Sequence, residues 1–204
     1  DIRNWIAACN GILQNDVKPV DLKYYDVDHN GIINDADKVN LGNGMPDFTY
    51  GFSLGFDYKG FDLNVTANGM VGNDIVQTYR NVGEKTANYT TEVLSRWTGE
   101  GTSNRYPRVT EINVNWQFSD LFIHDGSFLR ISNITLGYDF VRLMKTKLFS
   151  QARLYLQVQN AFTFTKYNGM DPEIGYGING WASGIDLGYY PRPRTVLVGL
   201  NLKF

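Results

Sequence analysis

Residues 49–69, TYGFSLGFDYKGFDLNVTANG, decide the fold. Tyr50, Phe52, Leu54, Phe56 and Tyr58 alternate with Gly51, Ser53, Gly55 and Asp57, and after Lys59-Gly60 the residues Phe61, Leu63, Val65 and Ala67 alternate with Asp62, Asn64, Thr66 and Asn68. Side chains of an extended chain point to opposite faces in turn, so each run is a strand with one apolar and one polar side. Lys59-Gly60 is a tight turn, which makes the pair a hairpin.

The same rule finds three more strands. Residues 195–204 set Val196, Val198, Leu200, Leu202 and Phe204 against Gly199, Asn201 and Lys203. Residues 152–159 set Ala152, Leu154, Leu156 and Val158 against Arg153, Tyr155, Gln157 and Gln159, and an Arg with two Gln on one face predicts water beside it. Residues 128–140 keep phase over Ile134, Leu136, Tyr138 and Phe140 but carry Leu129 and Ile131 on the other parity. A bulge near Ser132-Asn133 is therefore expected.

Connections between these strands alternate in length: two residues at 59–60, long at 76–126, short at 141–150, long at 164–193. Short turns at one end and long loops at the other are the arrangement of a transmembrane barrel. Periodicity alone also fits a soluble sandwich whose polar parity meets solvent. Tyr50 and Tyr58 at the two ends of one apolar face favour the membrane, where interfacial girdles hold such rings. An unpaired strand edge cannot face lipid, and bacterial barrels begin at about eight strands. Five strands thus require further strands outside this numbering.

Composition narrows the function. Lys plus Arg is 19 and Asp plus Glu 21, and a net charge of −2 gives no electrostatic reason to expect nucleic acid. Apolar runs such as Trp5 to Cys9 fall well short of the roughly 18 to 20 residues of a spanning helix. Cys9 is the single cysteine, which excludes an internal disulfide, and His29 and His124 have no metal-binding or catalytic company. Without an initiator Met or a leader pattern, any export signal is expected outside these residues.

Ahead of the hairpin lies DVDHNGIINDAD, residues 26–37. Asp26, Asp28 and Asn30 take positions 1, 3 and 5 of a calcium-type loop, Gly31 the sharp turn at 6, the Ile32 carbonyl position 7 and Asp37 position 12. Hard cations take roughly six to eight oxygens, and the Gly lets the chain fold back around them. Asp37 in place of the usual Glu shortens the reach, and Asn34 at position 9 would act directly or through water. The competing reading is an Asx-rich turn bonded to itself. With no apolar helix pair to open, a bound Ca2+ would be structural, stiffening the loop.

Specific residues then point to a family. Asp21-Leu-Lys-Tyr-Tyr-Asp-Val-Asp-His-Asn-Gly31, Leu41-Gly-Asn-Gly-Met-Pro-Asp-Phe-Thr-Tyr-Gly-Phe52, Tyr58-Lys-Gly-Phe-Asp-Leu63 and Gly72-Asn-Asp-Ile75 open a series. It continues with Asp125-Gly-Ser-Phe-Leu-Arg-Ile-Ser-Asn-Ile-Thr-Leu-Gly-Tyr138, Gln159-Asn160, Thr165-Lys-Tyr-Asn-Gly-Met-Asp-Pro-Glu173, Tyr190-Pro-Arg-Pro-Arg194 and the final Phe204. The series resembles the C-terminal barrel region of SusC/RagA-type TonB-dependent outer-membrane transporters over residues 21–204, while residues 1–20 match poorly.

The resemblance implies an all-β fold, an antiparallel transmembrane β-barrel of about 22 strands with a plug, of which this chain holds the last five or so. It implies import of oligosaccharides or peptides, not catalysis, with a SusD-like surface lipoprotein as lid and TonB as drive acting through parts absent here. Phe204 would be the signal read by the barrel-assembly machinery, which puts the end of the chain at the periplasmic rim. Counting strands back from it, residues 1–47, with the loop at 26–37, and the loops 76–126 and 164–193 are expected outside the cell. Residues 48–204 are expected to be the barrel-strand region, crossing outer-membrane lipid between those two long extracellular loops.

Arg153, Tyr155, Gln157 and Gln159 are the candidate lumen or substrate residues, and Arg192 and Arg194 are expected near the outer rim. Trp181, Tyr189 and Tyr190 would stack on sugars, pack on a lid or fill their loop. Asp171 and Glu173 resemble a glycosidase pair only in type, since two residues' spacing does not establish the carboxyl separation. The alternative function is a secreted calcium-dependent carbohydrate-binding β-sandwich, soluble at this length.

Overall fold

The computed structural model describes residue 17 and residues 21–78, 91–103, 106–109, 115, 117–144, 148–174 and 184–204. Trp181, Cys9 and the apolar run before it lie outside the described residues. Contacts divide the chain into two units, residues 42–79 with 123–204 and residues 1–41 with 80–122.

The larger unit is built on one antiparallel sheet of five long strands. These are β1 (Phe48–Tyr58), β2 (Phe61–Val71), β5 (Phe128–Asp139), β6 (Gln151–Thr165) and β8 (Thr195–Lys203), in the order β1-β2-β5-β6-β8. Lys59 and Gly60 both take positive φ, +48° and +93°, as a two-residue hairpin turn of the primed kind demands. Alternation puts like with like across the register. Phe56, Leu63, Leu136, Leu156 and Val198 form one unbroken row, and Leu54, Val65, Ile134, Val158 and Val196 the next.

The expected bulge is present. Register slips between Ile131 and Asn133, which leaves Ser132 out of phase with β2. On β6 two residues, Asn160 and Ala161, span the same interval, and Asn160 takes the left-handed φ of +50°. The slip returns Leu129 and Ile131 to the apolar side, where Ile131 faces Ala67 and Phe162. β6 runs further than its period-two stretch at 152–159, because Phe162 and Phe164 continue the even phase.

The apolar side carries no second layer among the described residues. Leu54, Phe56, Leu156, Val198 and Leu200 stand 43–72% exposed. In water such a contiguous face would be a severe liability, since soluble monomers rarely expose more than a few hundred Å² of apolar patch. A sandwich requires a facing sheet on that side, so the sandwich alternative is corrected here. Tyr50 lies over Gly69, and its hydroxyl donates to the Phe128 carbonyl at 3.2 Å, a ring with a polar tip at the strand end.

Both long connections leave from the same end of the sheet, and they meet in a second, smaller sheet of order β4-β3-β7. It joins β3 (Asp74–Gln77) antiparallel to β4 (Ile123–Asp125) and parallel to β7 (Ile185–Asp186). Ile75 and Asp186 are fully buried in it. In the other unit, Asp21 is buried and accepts from Asn115 Nδ2 at 2.9 Å and from the Arg108 guanidinium at 2.8 Å, which ties the segment before the calcium-type loop to the later connection.

Candidate functional site

The polar side of the main sheet is a lattice of side-chain bonds. Arg153 on β6 reaches over Gly137 of β5 to form a two-pronged bridge with Asp62 of β2, with Nε to Oδ1 at 2.7 Å. Any side chain at 137 would collide with both partners, so the Gly is what lets the bridge cross a strand. Arg153 also lies 4.9 Å from the Tyr155 ring centroid, and that ring occupies the space beside Gly199 of β8. Gln157 donates to Asn133 at 2.7 Å, and Asn133 to Thr135 at 3.1 Å. Gln159 pairs with Asn133 and Thr195 in the register. The four residues singled out from parity therefore share one face, and Arg153 and Gln157 are already bonded to neighbouring strands.

A buried charge cluster occupies the loop end of the same face, and parity reasoning missed it. Arg130 of β5, 3% exposed, is clamped by Asp171 on one side and Glu173 on the other, the latter at 2.9 Å. Arg192 closes the ring, its side chain 3.1 Å from Glu173 and its backbone N–H donating to Asp171 at 3.2 Å. Asp171 and Glu173 are thus partners of arginines that fasten the loop to the wall. The signal that could have revealed the cluster is Arg130 itself, a lone cation within the run FLRIS, which needs a counter-charge if buried. Tyr167 adds a second fastening, donating to Asp186. Beside the cluster opens a cavity of about 370 Å³, lined in part by Arg130, Thr163, Thr165, Asp171, Arg192 and Arg194. Arg194 packs over the Phe162 ring, 5.5 Å away. Tyr190 is almost wholly exposed, and Tyr189 is half-buried.

In the smaller unit, the calcium-type loop brings Asp26, Asp28 and Asp37 together, with one oxygen of each within 4.8 Å of the others. Gly31 takes the sharp turn at φ +83°, and its N–H donates to Asp26 Oδ2 at 2.9 Å. Asp26 Oδ1 is buried with no hydrogen-bond partner. Asn34 and Asp37 cap a one-turn 3-10 helix at Asp35–Asp37 reciprocally. The Asn34 amide, followed by that of Val27, holds the Asp37 carboxyl below the ordinary range of an aspartate. Not every oxygen is idle: Asn30 Oδ1 accepts from Ile32 N–H at 2.8 Å, the Ile32 carbonyl from Asn34 at 3.4 Å, and Asp28 from Asn30. The donor set is all oxygen and suits a hard cation. His29 stays outside it, edge-on to Tyr25, while His124 packs against Tyr167.

No family model matches the chain. Its sequence is 37% identical over 202 residues to TonB-dependent receptor P3 of Formosa agariphila and 35% identical over 192 residues to TonB-dependent receptor SusC of Bacteroides thetaiotaomicron, alignments that take in 94% and 92% of this chain. The chain spans only 20% and 18% of the length of those relatives. Its fold matches the RagAB peptide importer in the open-open state with a TM-score of 0.61 and 28% identity, over 78% of this chain and 17% of that one. The closed-closed state matches with a TM-score of 0.63 and 27% identity, over 80% and 18%. A bare apolar face, a hydrogen-bonded polar face and two open sheet edges are what a section of membrane barrel wall requires. The chain belongs to the SusC/RagA-type TonB-dependent receptors of the outer membrane, as a five-stranded section of their barrel.

Proposed function

We propose that this chain is a portion of the barrel of a transporter that imports oligosaccharides or peptides across the outer membrane, with a SusD-like surface lipoprotein as lid and TonB as the source of force. The observation that carries the reading is the two-sided sheet: lipid on the bare side of Leu156 and Val198, and an aqueous passage on the side of Arg153, Tyr155, Gln157 and Gln159. Relatives named as receptors, and two structures named as a peptide importer in open-open and closed-closed states, support import as the task. In this reading the loops at the β4-β3-β7 end face outward. The test is expression of the full-length gene in its own host. Detergent-dependent extraction, heat-modifiable migration, co-purification of a surface lipoprotein and TonB-dependent uptake are expected. A full-length product that stays in solution without detergent overturns the reading.

The loop at 26–37 is proposed to hold one Ca2+ structurally, through the carboxylates of Asp26, Asp28 and Asp37 with Asn30 and the Ile32 carbonyl completing the shell. The unpartnered Asp26 oxygen supports this. Calcium titration of the purified receptor, followed by protease resistance within 26–37, should show saturable protection that D26N/D28N loses. Equal protection in EDTA would refute it.

A further inference from the structure

We propose that Arg194 holds the phosphate of a membrane lipid at the loop end of the apolar face, on the outside of the barrel wall. β8 sets its placement. Val196, Val198, Leu200 and Leu202 carry the even phase to the lipid side, and Arg194 precedes them in that phase, just before the strand begins. Its guanidinium accordingly lies over the Phe162 ring, 5.5 Å from the centroid, and Phe162 belongs to the same side, opposite Ile131. That ring is 51% exposed, and Phe164, 56% exposed, stacks against it with centroids 6.4 Å apart. A cation thus stands at the edge of a surface otherwise made of hydrocarbon.

Strand length gives its depth. Arg194 and Phe204 are ten residues apart, which is about 33 Å of strand and, at a tilt of about 40°, about 25 Å along the membrane normal. The apolar band of an outer-membrane barrel is about 25 Å tall. With Phe204 packed on Phe149 at one boundary, Arg194 falls at the other, at the level of lipid head groups. Its stem lies along apolar surface while its charge escapes the hydrocarbon. At the turn end Lys59 lies 5.0 Å over the Tyr58 ring, so both limits of the face finish in a cation over an aromatic side chain.

Charge decides the guest. Arg130 and Arg153, on the polar side, are matched by carboxylates. Arg194 is exposed and pairs with no carboxylate among the described residues; its contact is the Phe162 ring. A guanidinium offers two parallel N–H donors to phosphate oxygens, where an ammonium is only a point charge. The rings of Phe162 and Phe164 beside it suit the first carbons of acyl chains. Head-group anion and hydrocarbon are thereby met together, which a free anion in water would not need.

The test reads which lipid gathers at this spot. The full-length receptor carrying F164W is reconstituted into phosphatidylcholine vesicles containing phosphatidic acid, with bromine on the acyl chains of one lipid or the other. The quenching that F164W adds over the parent receptor is then measured. Phosphatidic acid should be enriched beside position 164 by about fivefold over phosphatidylcholine, the effect of one cation on an anionic lipid. F164W/R194Q should bring the two lipids to parity, and F164W/R194K should keep part of the preference. Equal quenching by both lipids with Arg194 intact, or an enrichment that R194Q leaves in place, overturns the proposal. An enrichment abolished by millimolar inorganic phosphate overturns it too, since the site would then serve a free anion. The readout is lipid contact and not transport, so loss of TonB-dependent uptake defeats the import reading and leaves this proposal standing.

Discussion

Replacing Arg130 by Met tests the buried cluster most directly. Met keeps the apolar stem of Arg but removes the charge, leaving Asp171 and Glu173, 8% and 7% exposed, as buried carboxylates that have lost their shared cation. Removing one partner of a buried pair costs about 3 to 5 kcal/mol, because the remaining charge is both desolvated and uncompensated. Arg192 cannot make up the loss, since a bridge from a half-exposed arginine contributes about 1 kcal/mol or less. The cost falls on the contact between loop and wall, so local opening of residues 166–174 and 185–194 should rise by between about a hundredfold and a few thousandfold. Hydrogen exchange of the full-length receptor in detergent reads this directly, with β2 as the internal reference. R130M/D171N/E173Q, which removes all three charges, should recover most of the protection. Unchanged exchange in R130M would refute the clamp. Loss of protection across β2 as well would show that Arg130 supports the whole wall and not the loop.

Other outcomes follow from the same geometry. L156R should destabilise the receptor in lipid vesicles by about 2 to 4 kcal/mol in urea unfolding, whereas Q157R, one residue along, should cost little, because only the first faces hydrocarbon. G137A should cost about 1 kcal/mol by displacing the Arg153–Asp62 bridge, and should add nothing further in a D62N/R153Q background; additivity would show that the bridge is not what Gly137 serves. Asp37 has a folded value depressed below the ordinary aspartate value of about 3.9, so its hold on the Val27 and Asn34 amides is fully present above that pH and is lost as pH falls through the depressed value. Protection factors of those two amides in the calcium-free receptor should therefore stay level from neutral pH to about 4 and fall only below it. A fall near pH 6 would implicate a different group.

The five strands were legible because a period of two survives any context in which one side meets lipid or core and the other water. Even the break at Ser132 was readable, since a parity change inside one apolar run leaves an inserted residue as its simplest cause. The short strands β3, β4 and β7 were not. With 2 to 4 residues each they are too brief for a period, and the bonds that make them come from partners distant in the chain, such as Val76 N–H to the Gly184 carbonyl. The Arg130 cluster was hidden for the same reason: Arg130 lies 41 or more residues from the other members, and spacing along the chain carries no record of contacts made across it. The loop at 26–37 was the opposite case: its three carboxylates are close in the chain, so their approach to one another could be read before any fold was known.

The glycines at 137 and 199 shape the relief of the polar face. Each is a shallow recess into which a neighbour's bulk is laid, the Arg153–Asp62 bridge in one and the Tyr155 ring in the other. The largest groups on that surface are thus set as inlay and not as bristles. On the import reading, a passage finished this way would stay clear while offering a cargo weak polar footholds close enough together that leaving one costs little before the next is reached.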